Sequence, residues 1–204
     1  MEFIGTFFLV LVVALTGNPI AIGAVLMVMI YMGGNLSGGH YNPSVSLGVF
    51  LRGKMTGKDF LMYNIFQLIG AIAATLVYYS LSTRPFVPAP APDVSFVKAI
   101  VAEAIFTFAL VSVVLNTATT KKAAGNSYFG LAIGFTVLVG AFAVGPISGG
   151  AFNPAVGVGP NIVDLFKGGT GSINILTYII GPELGGLLAA IVFRFTNPDE
   201  FATA

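Results

Sequence analysis

Cysteine and tryptophan are absent from this 204-residue chain, histidine occurs once, and only 8% of residues are charged. Without cysteine there are no disulfides, thiolate metal sites or cysteine nucleophiles, and a lone histidine leaves little from which to build a zinc site. No metal and no cofactor is therefore expected. Nine basic against eight acidic residues give a net charge of +1, which supplies no electrostatic footprint for nucleic acid. What fills the space is apolar: 56% of residues are hydrophobic and the mean hydropathy is +0.92. An average soluble domain is about 25% charged, so the solvent expected for this chain is lipid. Met1-Glu2 lacks the basic start of a cleavable leader, and insertion is expected to be by the first helix itself.

The missing charges are also unevenly placed. None lies between Glu2 and Arg52, a stretch longer than two bilayer crossings at about 20 residues each. Thr16-Gly17-Asn18-Pro19 and then Gly33 to Pro43 punctuate it, giving a first helix from Phe3 to Thr16, a second helix and a half-length apolar piece. Further charge-poor stretches run from Phe60 to Thr83, Ala99 to Thr120, Tyr128 to Val163 and Asn174 to Phe193. These predict six crossings and two short segments. The first helix is the shortest: Phe3 to Thr16 rises about 21 Å against a hydrocarbon core of ~30 Å, which leaves Glu2 at membrane depth.

Polar gaps mark loops at Arg52 to Asp59, at the Pro-rich stretch 84–95, at Lys121 to Asn126 and at Lys167 to Ser172. The Pro-rich stretch reads as an extended connector. Six crossings place Arg52, Lys54, Lys58, Lys121, Lys122 and Arg194 on one side and Arg84, Lys98 and Lys167 on the other. The richer side is expected to be cytoplasmic, with both termini.

The chain also repeats itself. Glu2-Phe3-Ile4-Gly5-Thr6-Phe7 returns 101 residues later as Glu103-Ala104-Ile105-Phe106-Thr107-Phe108. Ser37 to Val45 returns 111 residues later as Ser148 to Val156, and Tyr63 to Ala74 returns 115 later as Tyr178 to Ala189. The order is kept and only connectors differ, so residues 1–204 read as a single membrane domain of two repeats, 1–83 and 96–196, joined by loop 84–95. Three crossings per half is an odd number. The halves therefore insert in opposite senses about a pseudo-two-fold axis in the membrane plane.

Asn-Pro occurs at matching places in both halves, Asn42-Pro43-Ser44 and Asn153-Pro154-Ala155. Asn caps a helix with its side-chain oxygen, and Pro at the first helical position strands no donor. Helices should start at Pro43 and Pro154 and be too short to cross before Arg52 and Lys167. Two such stubs meeting at the midplane place two positive dipole ends there. With their oxygens used as caps, the Asn42 and Asn153 NH₂ groups are left facing a passing solute. Ions lose their hydration without a charged partner, so neutral cargo is expected.

At these residues the chain resembles the major intrinsic proteins, the aquaporin and glycerol-facilitator family, over essentially its whole length. Ser37 to Val45 matches the first Asn-Pro-Ala box with Ser44 in place of Ala, and Gly149 to Ala155 matches the second. The resemblance implies an all-α membrane fold of six transmembrane helices and two re-entrant half-helices, one pore per protomer, a homotetramer in a cell membrane, and lipid and small neutral solutes as partners. It implies backbone carbonyl ladders at Gly38, Gly39 and His40 and at Gly149, Gly150 and Ala151. It also implies structural roles for the buried acids Glu2 and Glu103. His40 as a pH sensor would need a bistable element to bias, and the sequence offers none, so a fixed hydrogen-bonding role is expected for it.

By the same resemblance the outer filter falls on Ile22, Ala141, Gly150 and Val156. Family members usually carry Arg where Val156 stands; neither it nor the other three supplies an aromatic ring, a histidine or a charge. A wider, apolar mouth follows, open to glycerol, urea, ammonia or hydrogen peroxide and prone to dewetting. The acidic residue of the glycerol-facilitator subgroup is replaced by Gly157. Three readings compete with a passive channel. A coupled secondary transporter would want an ionisable cluster at the midplane, a proton leak would follow from the widened filter, and a membrane-embedded enzyme would need a nucleophile and base near the Asn boxes. Small-residue runs at Gly70 to Ala74 and Gly185 to Ala190 permit close helix contact.

Overall fold

The structure, a computed structural model, describes residues 1–170 and 172–201, the side chains of 172 and 173 excepted. Among the described residues there are eight α-helices and no strand: α1 Glu2–Thr16, α2 Pro19–Ser37, α3 Pro43–Leu51, α4 Gly57–Leu81, α5 Phe96–Ala118, α6 Phe129–Ser148, α7 Pro154–Phe166 and α8 Ser172–Thr196. Of the expected loop Lys167 to Ser172, residue 171 lies outside the described residues, as do residues 202–204.

Helices α2, α4, α5, α6 and α8 are long and apolar enough to cross a membrane; α1, at 15 residues, is shorter. The boundaries move outward from the charge-poor stretches where a cap permits. Thr56 Oγ1 accepts from the Asp59 N–H at 3.1 Å, so α4 starts three residues before Phe60 and absorbs Lys58 and Asp59 into its first turn. Ser95 likewise caps α5 by accepting from the Lys98 N–H at 3.4 Å.

Packing follows the repeat. Helix α1 lies on α2 and α4 as α5 lies on α6 and α8, and each half-helix packs between the long helices of both halves, α3 on α4 and α8, α7 on α8 and α4. The axis passes between α2 and α6, where Gly23 and Gly134 face each other. A Cβ on Gly23 would sit 2.6 Å from the Gly134 carbonyl oxygen, and one on Gly134 would sit 2.5 Å from that of Gly23. Only glycine at both positions lets these backbones approach so closely.

The C-terminal end of the described chain folds against the end of α3. Arg52, just after α3, is buried and donates from Nη2 to Glu200 Oε2 at 2.6 Å, and from Nε to Thr119 Oγ1 at 3.0 Å. Its guanidinium lies 5.3 Å from the ring centroids of both Phe193 and Phe201. Lys167, just after α7, lies instead 4.7 Å over the Tyr79 ring at the far end of α4.

Candidate functional site

Each re-entrant segment descends through glycines and turns sharply before its helix. Gly38 and Gly39 have φ of 83° and 64°, and Gly149 and Gly150 have 91° and 64°; Tyr41 and Phe152, immediately before the asparagines, have 50° and 49°. A bulky non-glycine residue in that left-handed region is strained and persists only where its surroundings hold it. Both rings are fully buried, and each backbone is tethered as described below.

Asn42 Oδ1 accepts from the Ser44 N–H at 2.9 Å, and Asn153 Oδ1 accepts from Ala155 at 2.9 Å and Val156 at 3.4 Å. The amide nitrogens do something the sequence does not announce. Asn42 Nδ2 donates to the Phe152 carbonyl at 2.8 Å and Asn153 Nδ2 donates to the Tyr41 carbonyl at 2.9 Å. This reciprocal pair stitches the two half-helix starts together across more than a hundred residues of sequence. One N–H of each amide is thus committed to the opposite loop, leaving one per asparagine unassigned.

Two carboxyl groups hold the descending segments. Glu2 Oε1 accepts from Ser37 Oγ at 2.7 Å and the His40 N–H at 3.1 Å, while Oε2 accepts from the Tyr41 N–H and Gln67 Nε2, each at 2.7 Å. Glu103 Oε1 accepts from Ser148 Oγ at 2.7 Å and the Ala151 N–H at 3.1 Å, and Oε2 accepts from the Phe152 N–H at 2.6 Å. Tyr63 and Tyr178 repeat the pattern, their hydroxyls donating to the carbonyls of Ser37 and Ser148 at 2.8 and 2.6 Å. Gln67, Tyr63 and Tyr178 are not among the site residues expected from the sequence; the two tyrosines were legible only as matching members of the repeat. His40 Nδ1 lies 3.0 Å from Ser46 Oγ. Ser44 Oγ donates to Glu183 Oε1 at 3.2 Å, a contact that neither residue type signals.

One cavity of about 770 Å³ runs past both asparagines. Its lining reaches from Pro19 to Asn35 on α2, a separation worth about 24 Å along a helix axis. Phe86, Pro88 and Pro146 line one end, and Thr117, Ala118 and Asn126 the other. Gly38, Gly39, His40, Gly149, Gly150 and Ala151 all line it, as do Ile22, Ala141 and Val156. Pro43, Pro154, Ser44 and Ala155 sit in the first turns behind the asparagines, with Ser44 and Ala155 buried. No Asp, Glu, Lys or Arg lines the cavity among the described residues, nor does any cluster of His, Asp and Glu there suit a metal ion. The Pro-rich connector does more than connect, because Phe86 and Pro88 are part of the cavity lining.

Chemically, the described lining brings two asparagines and the glycine-rich descending segments together with apolar side chains and no formally charged one. It can hand a neutral polar molecule from one hydrogen bond to the next while giving an ion nothing to replace its water.

Comparisons with known proteins agree with this geometry. The pattern of the family described as "Major intrinsic protein" matches residues 13–193. The chain is 34% identical over 215 residues to glycerol uptake facilitator protein-like 6 of Lactiplantibacillus plantarum, covering 98% of this chain and 97% of that one. It is 32% identical over 237 residues to aquaporin AqpM of Methanothermobacter thermautotrophicus, covering 97% and 96%. To aquaporin NIP1-1 of Zea mays it is 35% identical over 187 residues, spanning only 64% of the maize protein's length. The X-ray structure of the aquaglyceroporin from Plasmodium falciparum has the same fold, with a TM-score of 0.86 at 22% identity, covering 98% of this chain and 96% of that one. On its sequence pattern, its relatives and its fold, the chain belongs to the major intrinsic protein family, a family of passive membrane channels.

Proposed function

We propose that this chain passively conducts small uncharged solutes of the glycerol, urea, ammonia and hydrogen peroxide class, with water as a further permeant, down their gradients. No catalytic step is involved. The observation that carries the reading is the cavity itself, which passes Asn42 and Asn153 and has no formally charged side chain in its described lining. Relatives named as aquaporins and as a glycerol uptake facilitator support the same solute class. Coupled transport, the competing reading, would want an ionisable cluster in the passage, and among the described residues that line it His40 is the sole titratable one.

In this reading Asn42 and Asn153 each give one N–H to the solute, the carbonyls of Gly38, Gly39, His40, Gly149, Gly150 and Ala151 accept from it, and the dipoles of α3 and α7 repel cations. Ile22, Ala141, Gly150 and Val156 form the outer filter, and Glu2 and Glu103 are its scaffold. Residues 1–204 act as one channel domain of two inverted repeats, 1–83 and 96–196, around connector 84–95. The protein sits in the cell membrane with both termini cytoplasmic and assembles as a homotetramer. The shared face of Arg52, Lys121 and Glu200, opposite Lys167, supports the sidedness.

The test is stopped-flow light scattering on proteoliposomes under water, glycerol and urea gradients. Downhill, non-concentrative flux of at least one uncharged solute is expected; accumulation against a gradient would overturn the channel reading. In the same assay Val156→Arg should slow glycerol and urea more than ammonia. Equal slowing would remove Val156 from the constriction.

A further inference from the structure

The four filter positions carry no ring, yet the cavity they line also takes aromatic side chains, Phe86, Phe129 and Phe142, of which Phe86 alone comes from a loop. Phe86, from the Pro-rich connector, lines the cavity together with Ile22, Ala141 and Val156. It is not a loose flap. Its ring stacks edge-on against the buried ring of Tyr78, with centroids 5.7 Å apart and planes at 63°, and its N–H reaches Tyr79 Oη at 3.4 Å. Beyond it the connector is pinned twice: the Pro88 carbonyl accepts from Asn161 Nδ2 on α7 at 3.0 Å, and the Ala91 N–H donates to the Ile147 carbonyl at the end of α6 at 3.0 Å. Prolines at 85, 88, 90 and 92 fix φ at four positions of the stretch, so little conformational freedom remains to be lost. The anchors lie on α7, which carries Val156, and on α6, which carries Ala141, so ring and filter are held in one frame.

We propose that Phe86 is a specificity-determining residue that sets the upper size limit of the passage, doing from a loop what the four filter side chains are too small to do. This rests on the solute-channel reading above. The chemistry selected is that of linear polyols. A solute would turn its C–H edge to the Phe86 ring and its hydroxyls to the Gly149 and Gly150 carbonyls, so each added CHOH unit must clear the ring.

The test compares glycerol with erythritol, one CHOH unit longer, in proteoliposomes. Phe86→Ala should raise the erythritol-to-glycerol flux ratio about tenfold, the scale on which a pocket discriminates one added group; Phe86→Leu should raise it less. An unchanged ratio with glycerol flux intact would overturn the role of Phe86 alone, whereas no uncharged-solute flux in the unaltered protein would overturn the channel reading beneath it. Because the chain has no cysteine, Phe86→Cys introduces a unique thiol and covers the case in which the alanine variant fails to fold. A bulky membrane-impermeant maleimide should label it and stop glycerol flux. Complete labelling without loss of flux, or no labelling of the folded variant from either side, would overturn the proposal.

Discussion

In the first repeat the Glu2 carboxyl gathers four donors, from Ser37, His40, Tyr41 and Gln67, whereas in the second Glu103 gathers three, from Ser148, Ala151 and Phe152. Ser46 extends the first network, accepting from Gln67 Nε2 at 3.1 Å, donating to the Asn42 carbonyl at 3.2 Å and meeting His40 Nδ1. The residues that match Gln67 and Ser46 in the second repeat are Pro182 and Gly157, and a Cβ on Gly157 would collide with the Tyr178 side chain. The halves thus share one hydroxyl and two backbone donors per carboxyl, with a tyrosine hydroxyl on the matching serine carbonyl, and differ in the second ring of contacts. What the duplication must preserve is the left-handed turn before each asparagine; one half secures its outskirts with polar side chains and the other with close packing.

Removing the shared part should have the largest effect. Glu2→Leu and Glu103→Leu each strand two backbone N–H groups, at roughly 1–3 kcal/mol per buried donor. Both should lower the thermal unfolding temperature of the detergent-solubilised protein by a similar amount. A silent variant in either half would break the symmetry argument.

The divergent part comes next. Gly157→Ser overfills a closed contact and should cost about 1–3 kcal/mol, while Ser46→Ala gives up hydrogen bonds worth about 1 kcal/mol each. Unfolding curves should show a clear loss of comparable size for both changes. An unfolding curve unmoved by Gly157→Ser would show that the second half is not secured by packing.

The ends of the half-helices sharpen the contrast further. Arg52 after α3 is buried between two rings and paired with Glu200, their side chains 3% and 7% exposed, whereas the matching Lys167 after α7 is exposed. Arg52→Ala should therefore destabilise more than Lys167→Ala in the same assay.

The smallest effect expected is on pH. The Lys121 backbone N–H and then Arg52 hold the Glu200 carboxyl below its ordinary value of 4.5. Its stabilisation is present above that value and fades as the pH falls through the lowered one. Glu200→Gln should flatten the acid limb of stability against pH between those two values and leave the neutral range unchanged; an identical acid limb would dissociate the tail from α3.

Much of this was legible in the sequence because it is local. Asparagine caps its own helix within three residues, Pro43 and Pro154 start helices wherever they stand, and charge gaps as long as a bilayer is thick mark crossings without any knowledge of neighbours. The repeat revealed itself by register alone. What stayed hidden depends on partners far along the chain: the asparagine-to-carbonyl stitches span 110 and 112 residues, and Arg52 to Glu200 spans 148. Gln67 reads as an ordinary helix residue until Glu2 is placed beside it, and Phe86 as one more apolar residue in a stiff connector until Asn161 and Ile147 fix where that connector lies. The sequence by itself determined where helices start, how many cross and which residue types are barred from the passage, since capping and desolvation act over a few residues. Only the tertiary structure decided which amide N–H groups are tied to the opposite loop and where the connector's ring lies, because hydrogen bonds and steric limits belong to atoms brought together across the whole fold.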